Sequence, residues 1–322
     1  MTRRGENVPA VSRRLKRPTK LPEVALPSPV AVELLTAAIN DFARLHGVRV
    51  LTIKGRALTE QGLRAVRDSS DVDVLVDPAD FSRLWNILRA NGWSDRDKAV
   101  LVDLPPAGSV LAPHARTLEH AQWPCHLDLH RYYPGLVKPV QEVFDALWEA
   151  RGSVRIAHAE CVVPSPSDHW LIAAVHAARS HDDAQAMDLE DRARARLDGD
   201  LRDVISRARV LGAAGPLAGT LQRVTGQTIP IPADEQRLTD LWSRRLGSDQ
   251  TLPEAVVEQF ADAGWTARLQ LAARKVVPSA RFAQAFFGVK NDPLSLAAFY
   301  IRRAVTAPLK LARIVSSTRK RR

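Results

Sequence analysis

Three aspartates define the chemistry this sequence can reach. Asp71 and Asp73 alternate with Val72 and Val74, so on an extended chain both carboxylates point to one face. Two carboxylates side by side repel each other unless a cation lies between them, and an oxygen-only, doubly acidic site prefers Mg2+ or Mn2+ to zinc. Asp128 stands in a second alternating run, with His126 and His130 on its face and Leu127 and Leu129 on the other. Supplied from a neighbouring strand, this third acid completes a set able to hold two divalent ions, the arrangement that clamps the attacking and leaving oxygens of phosphoryl transfer. His130 and His126 are candidates for support, as a metal ligand or as hydrogen-bond partners that orient Asp128.

Positioning these acids requires strands with apolar backing. Residues 71–77 read as one strand, with Val72, Val74 and Val76 facing one way and Asp71, Asp73 and Leu75 the other. Residues 125–131 read as another, placing Cys125 in step with Leu127 and Leu129; a weaker strand signal covers 99–104. Before the paired acids, the β-rich run 48–53 ends at Lys54-Gly55, ahead of a stretch, 56–65, able to start a helix. A glycine at a strand-to-helix turn offers backbone amides to a phosphate chain, and Lys54 and Arg67 add charge-assisted contacts. Lys54, Gly55 and Arg67 are therefore the candidate nucleotide-binding residues.

Helical periodicity surrounds this unit. Ser28 and Pro29 open a helix carrying Leu35, Ala38, Ile39, Phe42 and Leu45, which Gly47 closes. Asp77-Pro78 precedes a second, with Phe81, Leu84, Trp85 and Leu88, ended by Asn91-Gly92. From residue 140 the pattern is mostly helical: Val140, Val143, Phe144, Leu147 and Trp148 form one stripe, and a helix capped by Ser167 or Asp168 carries Ile172, Val175 and His176. Further apolar stretches fall at 217–224, 238–246, 256–271 and 282–300. His169 and His176 share a helix face but stand too far apart to ligate one metal, so His176 reads as a buried histidine near the lobe junction. Trp85 and Trp148 read as core. The expected fold class is α/β (α+β): a disordered basic leader over 1–27, a mixed-sheet lobe with flanking helices over 28–165, a mostly helical lobe over 166–316 and a basic tail over 317–322.

The 322 residues, 45% of them hydrophobic and 25% charged, suffice for a large core. Two cysteines, Cys125 and Cys161, are too few for a disulfide framework and fit a reducing cytoplasm as packed thiols. The formal charge of +10 would attract nucleic acid, nucleotides or an anionic membrane surface. Much of the excess lies near the ends, at Arg3, Arg4, Arg13, Arg14, Lys16, Arg17 and Lys20 and at Arg319, Lys320, Arg321 and Arg322, which argues against nucleic acid as the principal partner. Residues 294–315 mix Phe299, Tyr300 and Leu309 with Arg302, Arg303 and Lys310; a docking helix with a solvated basic face is a plainer reading than peripheral membrane contact. The first residues lack the apolar core of an export signal and no stretch is apolar enough to span a bilayer, so a cytoplasmic protein is expected.

Taken together, Leu51-Thr-Ile-Lys-Gly55, Arg67-Asp-Ser-Ser-Asp71-Val-Asp73-Val-Leu-Val76 and His126-Leu-Asp128-Leu-His130 resemble the bacterial nucleotidyltransferase-like family of the DNA polymerase β superfamily. Those proteins show a Lys-Gly turn, an arginine shortly before an Asp-Ile/Val-Asp strand and a later Asp-Leu-His, and Asp168-His-Trp-Leu-Ile-Ala-Ala-Val-His176 is similar to the start of their helical half. The likeness runs over roughly residues 30–225. It implies that Asp71 and Asp73 bind Mg2+ or Mn2+, that Asp128 completes the metal site and activates an acceptor hydroxyl, and that the Gly55 turn holds the triphosphate of an NTP. Arg56 stands where the superfamily usually carries a serine that reaches the phosphates. The implied activity is transfer of a nucleoside monophosphate to a hydroxyl or phosphate acceptor, such as a small molecule or peptide. A non-catalytic or antitoxin-like binding member of the same fold is the alternative, and an RNA-directed transferase a third.

Overall fold

The computed structural model describes residues 26–96, 114–196, 201–246, 290, 292–302 and 306. Expectations for the leader before residue 26, the 99–104 strand, the 256–271 stretch and the basic tail lie outside these residues.

Alternation in residues 71–76 produces an interior strand. It joins a five-stranded mixed sheet of order β1-β2-β5-β4-β3, formed by β1 (Val50–Ile53), β2 (Asp71–Val76), β3 (Ser94–Asp95), β4 (Ala115–Glu119) and β5 (His126–His130). β1 pairs with β2 and β4 with β5 antiparallel, whereas β2 and β5 run parallel. A second sheet is a hairpin of β6 (Gly152–Ile156) and β7 (Ala159–Val163).

Each face of the sheet has its own apolar layer. Val72, Val74, Val76, Leu127 and Leu129 pack with Cys125 against helix α1 (Ser28–Leu45) and helix α3 (Phe81–Ala90), through Leu35, Ile39, Ala43, Phe81, Leu84 and Leu88. Burying each such Leu or Ile side chain contributes roughly 1.5–3 kcal/mol. The polar centre of this layer is satisfied: buried Asn40 donates to Thr52 Oγ1 at 2.8 Å and accepts from the Val162 amide at 3.1 Å, tying α1 to β1 and β7. On the opposite face Leu51, Ile53 and Leu75 enter a larger core with helix α4 (Val140–Glu149), helix α5 (Pro166–Ser180), helix α7 (Leu201–Leu211) and helix α8 (Ala218–Thr225). Helix α6 (Asp183–Arg196) adds Leu189 and Ala193, and helix α9 (Ala233–Leu246) adds Trp242. Sheet residues and C-terminal helices thus share one continuous apolar cluster.

Several boundaries move from the sequence reading. Ser165, not Ser167 or Asp168, caps α5, its Oγ accepting from the Asp168 amide at 3.3 Å, while Asp168 is fully buried against Arg207. Helix α2 (Gly55–Glu60) is only six residues long. Residues 293–302 are helical, overlapping the 282–300 and 294–315 expectations. Cys125 and Cys161 are free and buried, and Trp85 and Trp148 pack partly buried against the two cores. Among the described residues no helix is long and apolar enough to cross a membrane.

Candidate metal and nucleotide site

Parallel pairing of β2 and β5 is what brings the acids together. The register sets Asp71 opposite His126, Asp73 opposite Asp128 and Leu75 opposite His130. On this face the apolar layer ends at Leu75, and one step toward the start of the strand the side chain becomes Asp73, 6% exposed. Asp73 Oδ1 accepts from His130 Nε2 at 2.7 Å and from Lys54 Nζ at 2.6 Å. Burial alone would raise the Asp73 carboxyl, but the hydrogen bond and charge of His130, together with Lys54, hold it well below the usual carboxylate range.

Asp128 is poised differently. Burial pushes its carboxyl up, the Thr117 hydroxyl bond opposes that, and the Asp73 charge alongside raises it further. Its Oδ1 is buried with no hydrogen-bond partner among the described residues. An orphaned buried acceptor costs about 1–3 kcal/mol, and more when it carries charge. Ligand atoms of Asp73, Asp128 and His130 all lie within 4.8 Å of one another. Two carboxylates and an imidazole, one oxygen still unsatisfied, fit a divalent cation, and the nitrogen donor broadens the choice beyond Mg2+ toward Mn2+.

Asp71 lies outside that tight group. It occupies the same strand face, partly exposed, and Ser69 Oγ donates to its Oδ1 at 3.3 Å. His126 is partly buried beside it in register. His130 is the histidine drawn into the acidic centre.

Upstream, β1 delivers Lys54 and Gly55 to the start of β2, because the two strands run antiparallel with Ile53 opposite Asp73. Lys54 has φ 59° and ψ −151°, followed by Gly55 at φ 44°. Lys54 sits in a region nearly restricted to glycine and costing about 1–3 kcal/mol for any other residue. A six-residue α2 carries little macrodipole, so the positive potential at this turn comes from Lys54 and the local amides. Ser69 stands close by: a Cβ on Gly55 would lie 3.6 Å from its hydroxyl.

Arg67 does not reach the acids; it is exposed and its Nη2 donates to Gln185 Oε1 at 3.3 Å. The guanidinium that does feel them is Arg64, 8% exposed, pushed down to about 10 by burial and by Arg67 while Asp73 and Asp71 oppose the shift. Further histidines border the site. His114 is pushed down to about 3 and His176 to about 4, in each case first by burial and then by nearby positive groups that include Lys54 and Arg179. His114 is neutral at ordinary pH, and its Nε2 faces Arg179 Nη2 at 3.4 Å. Sequence reasoning missed Arg64, His114 and Arg179. Arg64 has no feature of spacing that separates it from Arg67, and His114 and Arg179 are brought together only by tertiary packing.

A mixed sheet flanked by helices, with paired acids on adjacent strands, defines a nucleotidyltransferase-type domain. Residues 7–225 match the family described as "Uncharacterised nucleotidyltransferase", and the chain belongs to that family. No curated protein matches the chain.

Proposed function

We propose that the protein transfers a nucleoside monophosphate from an NTP to a hydroxyl or phosphate acceptor of a small molecule or peptide. The observation that carries this reading is the unsatisfied Asp128 Oδ1 beside Asp73 and His130, with Lys54 Nζ on Asp73 Oδ1 at 2.6 Å. Asp73, Asp128 and His130 would hold a divalent ion, with Asp71 flanking them on the same strand face. Bound there, Mg2+ or Mn2+ supplies Lewis-acid polarisation of the phosphoryl group. Lys54 neutralises phosphate charge, the Gly55 turn admits the phosphate chain without a side-chain clash, and the Ser69 hydroxyl stands where a phosphate oxygen could accept from it. Asp128 takes the acceptor's proton. The lobes belong to the same proposal: an α/β lobe to residue 165, a helical lobe from the start of α5 and a substrate cleft between them, near His176, which feels the charges of Lys54, Arg179 and Asp73.

Labelling cell extract with α-phosphate-labelled NTPs tests this. Transfer should need added Mg2+ or Mn2+ and vanish with Asp73→Asn; label that is unaffected by Asp73→Asn or by chelation would contradict it.

One observation favours a second reading, a non-catalytic member of the fold. Lys54 Nζ and His130 already satisfy Asp73 Oδ1 without any metal, and Arg56 is turned away into pairs with Glu60 at 2.7 Å and Glu33 at 3.6 Å. On that reading the protein binds NTP, with or without metal, yet releases no pyrophosphate.

A further inference from the structure

A main-chain conformation such as that of Lys54 persists only where the surroundings over-determine it. Among the described residues the other non-glycine residues at positive φ are Ala157 and His158, in the hairpin turn between β6 and β7, and His181, at the end of α5, where such angles are routine. Lys54 alone among them adjoins the acids.

Its amide donates to His169 Nε2 at 2.8 Å. His169 is fully buried in the first turns of α5, and its Nδ1 donates to Gln61 Oε1 at 2.6 Å. Gln61 in turn donates from Nε2 to the Pro164 carbonyl at 2.9 Å. An imidazole that accepts at Nε2 and donates at Nδ1 is neutral and held in one tautomer. Burial, then Arg64, pushes His169 down to about 3, so that state prevails at ordinary pH.

We propose that His169 is a positioning residue: through one hydrogen bond it fixes the strained Lys54 backbone, so that the ammonium is aimed at Asp73 and at the phosphate chain of a bound NTP. The second half of this inference rests on the function proposed above. His169 acts through Lys54, and the Gln61 to Pro164 chain joins the nucleotide turn to the start of the helical lobe. A histidine serving only as core filler would leave the Lys54 amide protected by other means and NTP affinity untouched.

The test compares the full-length protein with His169→Leu, His169→Gln and Gln61→Leu. Glutamine can place an amide oxygen where Nε2 lies and accept from the Lys54 amide. Hydrogen exchange at the Lys54 and Gly55 amides should accelerate at least about tenfold in His169→Leu, the loss expected for one hydrogen bond. Mn2+-NTP affinity should fall about tenfold with Mn2+ affinity alone changed less than about twofold, and His169→Gln should restore most of both. If His169→Leu does not fold, Gln61→Leu and the 15N signature of the wild-type ring carry the test: Nδ1 protonated, Nε2 not. A ring with the reverse tautomer overturns the proposal. So does a folded His169→Leu that keeps both Lys54 amide exchange and NTP affinity. Should wild type bind no NTP, the functional reading fails, and amide exchange still decides whether His169 holds the turn.

Discussion

Asp73 and Asp168 are both buried carboxylates, and the way each is neutralised separates the candidate site from a structural joint. Asp168 is held by Arg207 through two bonds, Nε to Oδ1 at 2.7 Å and Nη2 to Oδ2 at 2.8 Å, with the charge of Asp203 acting on both partners. Asp73 is met by the single point charge of Lys54 and by His130, with a second carboxylate, Asp128, directly opposite and incompletely satisfied. A planar fork that saturates its partner serves rigidity. A flexible ammonium beside an unsatisfied acid leaves room for another cation.

Breaking the joint should have the largest effect. Arg207→Ala strands the Asp168 charge in the core and should cost about 3–5 kcal/mol by chemical denaturation, with no dependence on added metal. Next in size, Mn2+ at a hundredfold excess over its Kd should stabilise wild type by about 2.7 kcal/mol, a gain that Asp73→Asn or Asp128→Asn abolishes and Arg207→Ala retains.

Acid should separate the two regions further. His169 has a folded pKa of about 3, below the ordinary 6.5 of the unfolded chain, so the unfolded state binds the extra proton. Its contribution is complete above pH 6.5 and is lost as the pH falls toward 3. Stability should therefore rise with pH over that window by up to about 1.4 kcal/mol per unit from this residue, a slope that His169→Gln removes. The smallest effect is a gain: without metal, Asp128→Asn should stabilise the protein by about 1 kcal/mol, since it removes repulsion from Asp73.

What could be read from sequence follows the same division between local and distant causes. β2 and β5 were legible because one face of each is packed solid, leaving strict alternation in Val72, Val74 and Val76 and in Leu127 and Leu129. β4 was not, because Arg116 occupies an inward position, ion-paired to Asp95 at 3.1 Å and lying over the Trp85 ring, which erases the apolar pattern. The β6–β7 hairpin also escaped notice. Its turn uses Ala157 and His158 at φ 47° and 65° where asparagine or glycine would have marked it, and most of β6 is exposed. In the candidate site the acids announced themselves by alternation, and Lys54 by its place at a strand end. The joining of His169 to Lys54 spans 115 residues and left no local trace. Arg67 stands out in the sequence by its place shortly before Asp71, whereas the buried guanidinium that feels Asp71 and Asp73 is Arg64.

Calorimetric titration of Mn2+ into wild type and Asp128→Asn, each with and without NTP, bears most directly on the claim that these paired carboxylates form a cation site for nucleotidyl transfer. Wild type should bind Mn2+ and bind it more tightly with NTP present, while Asp128→Asn loses both heats. Equal heats in the two proteins, or none in wild type, would contradict it.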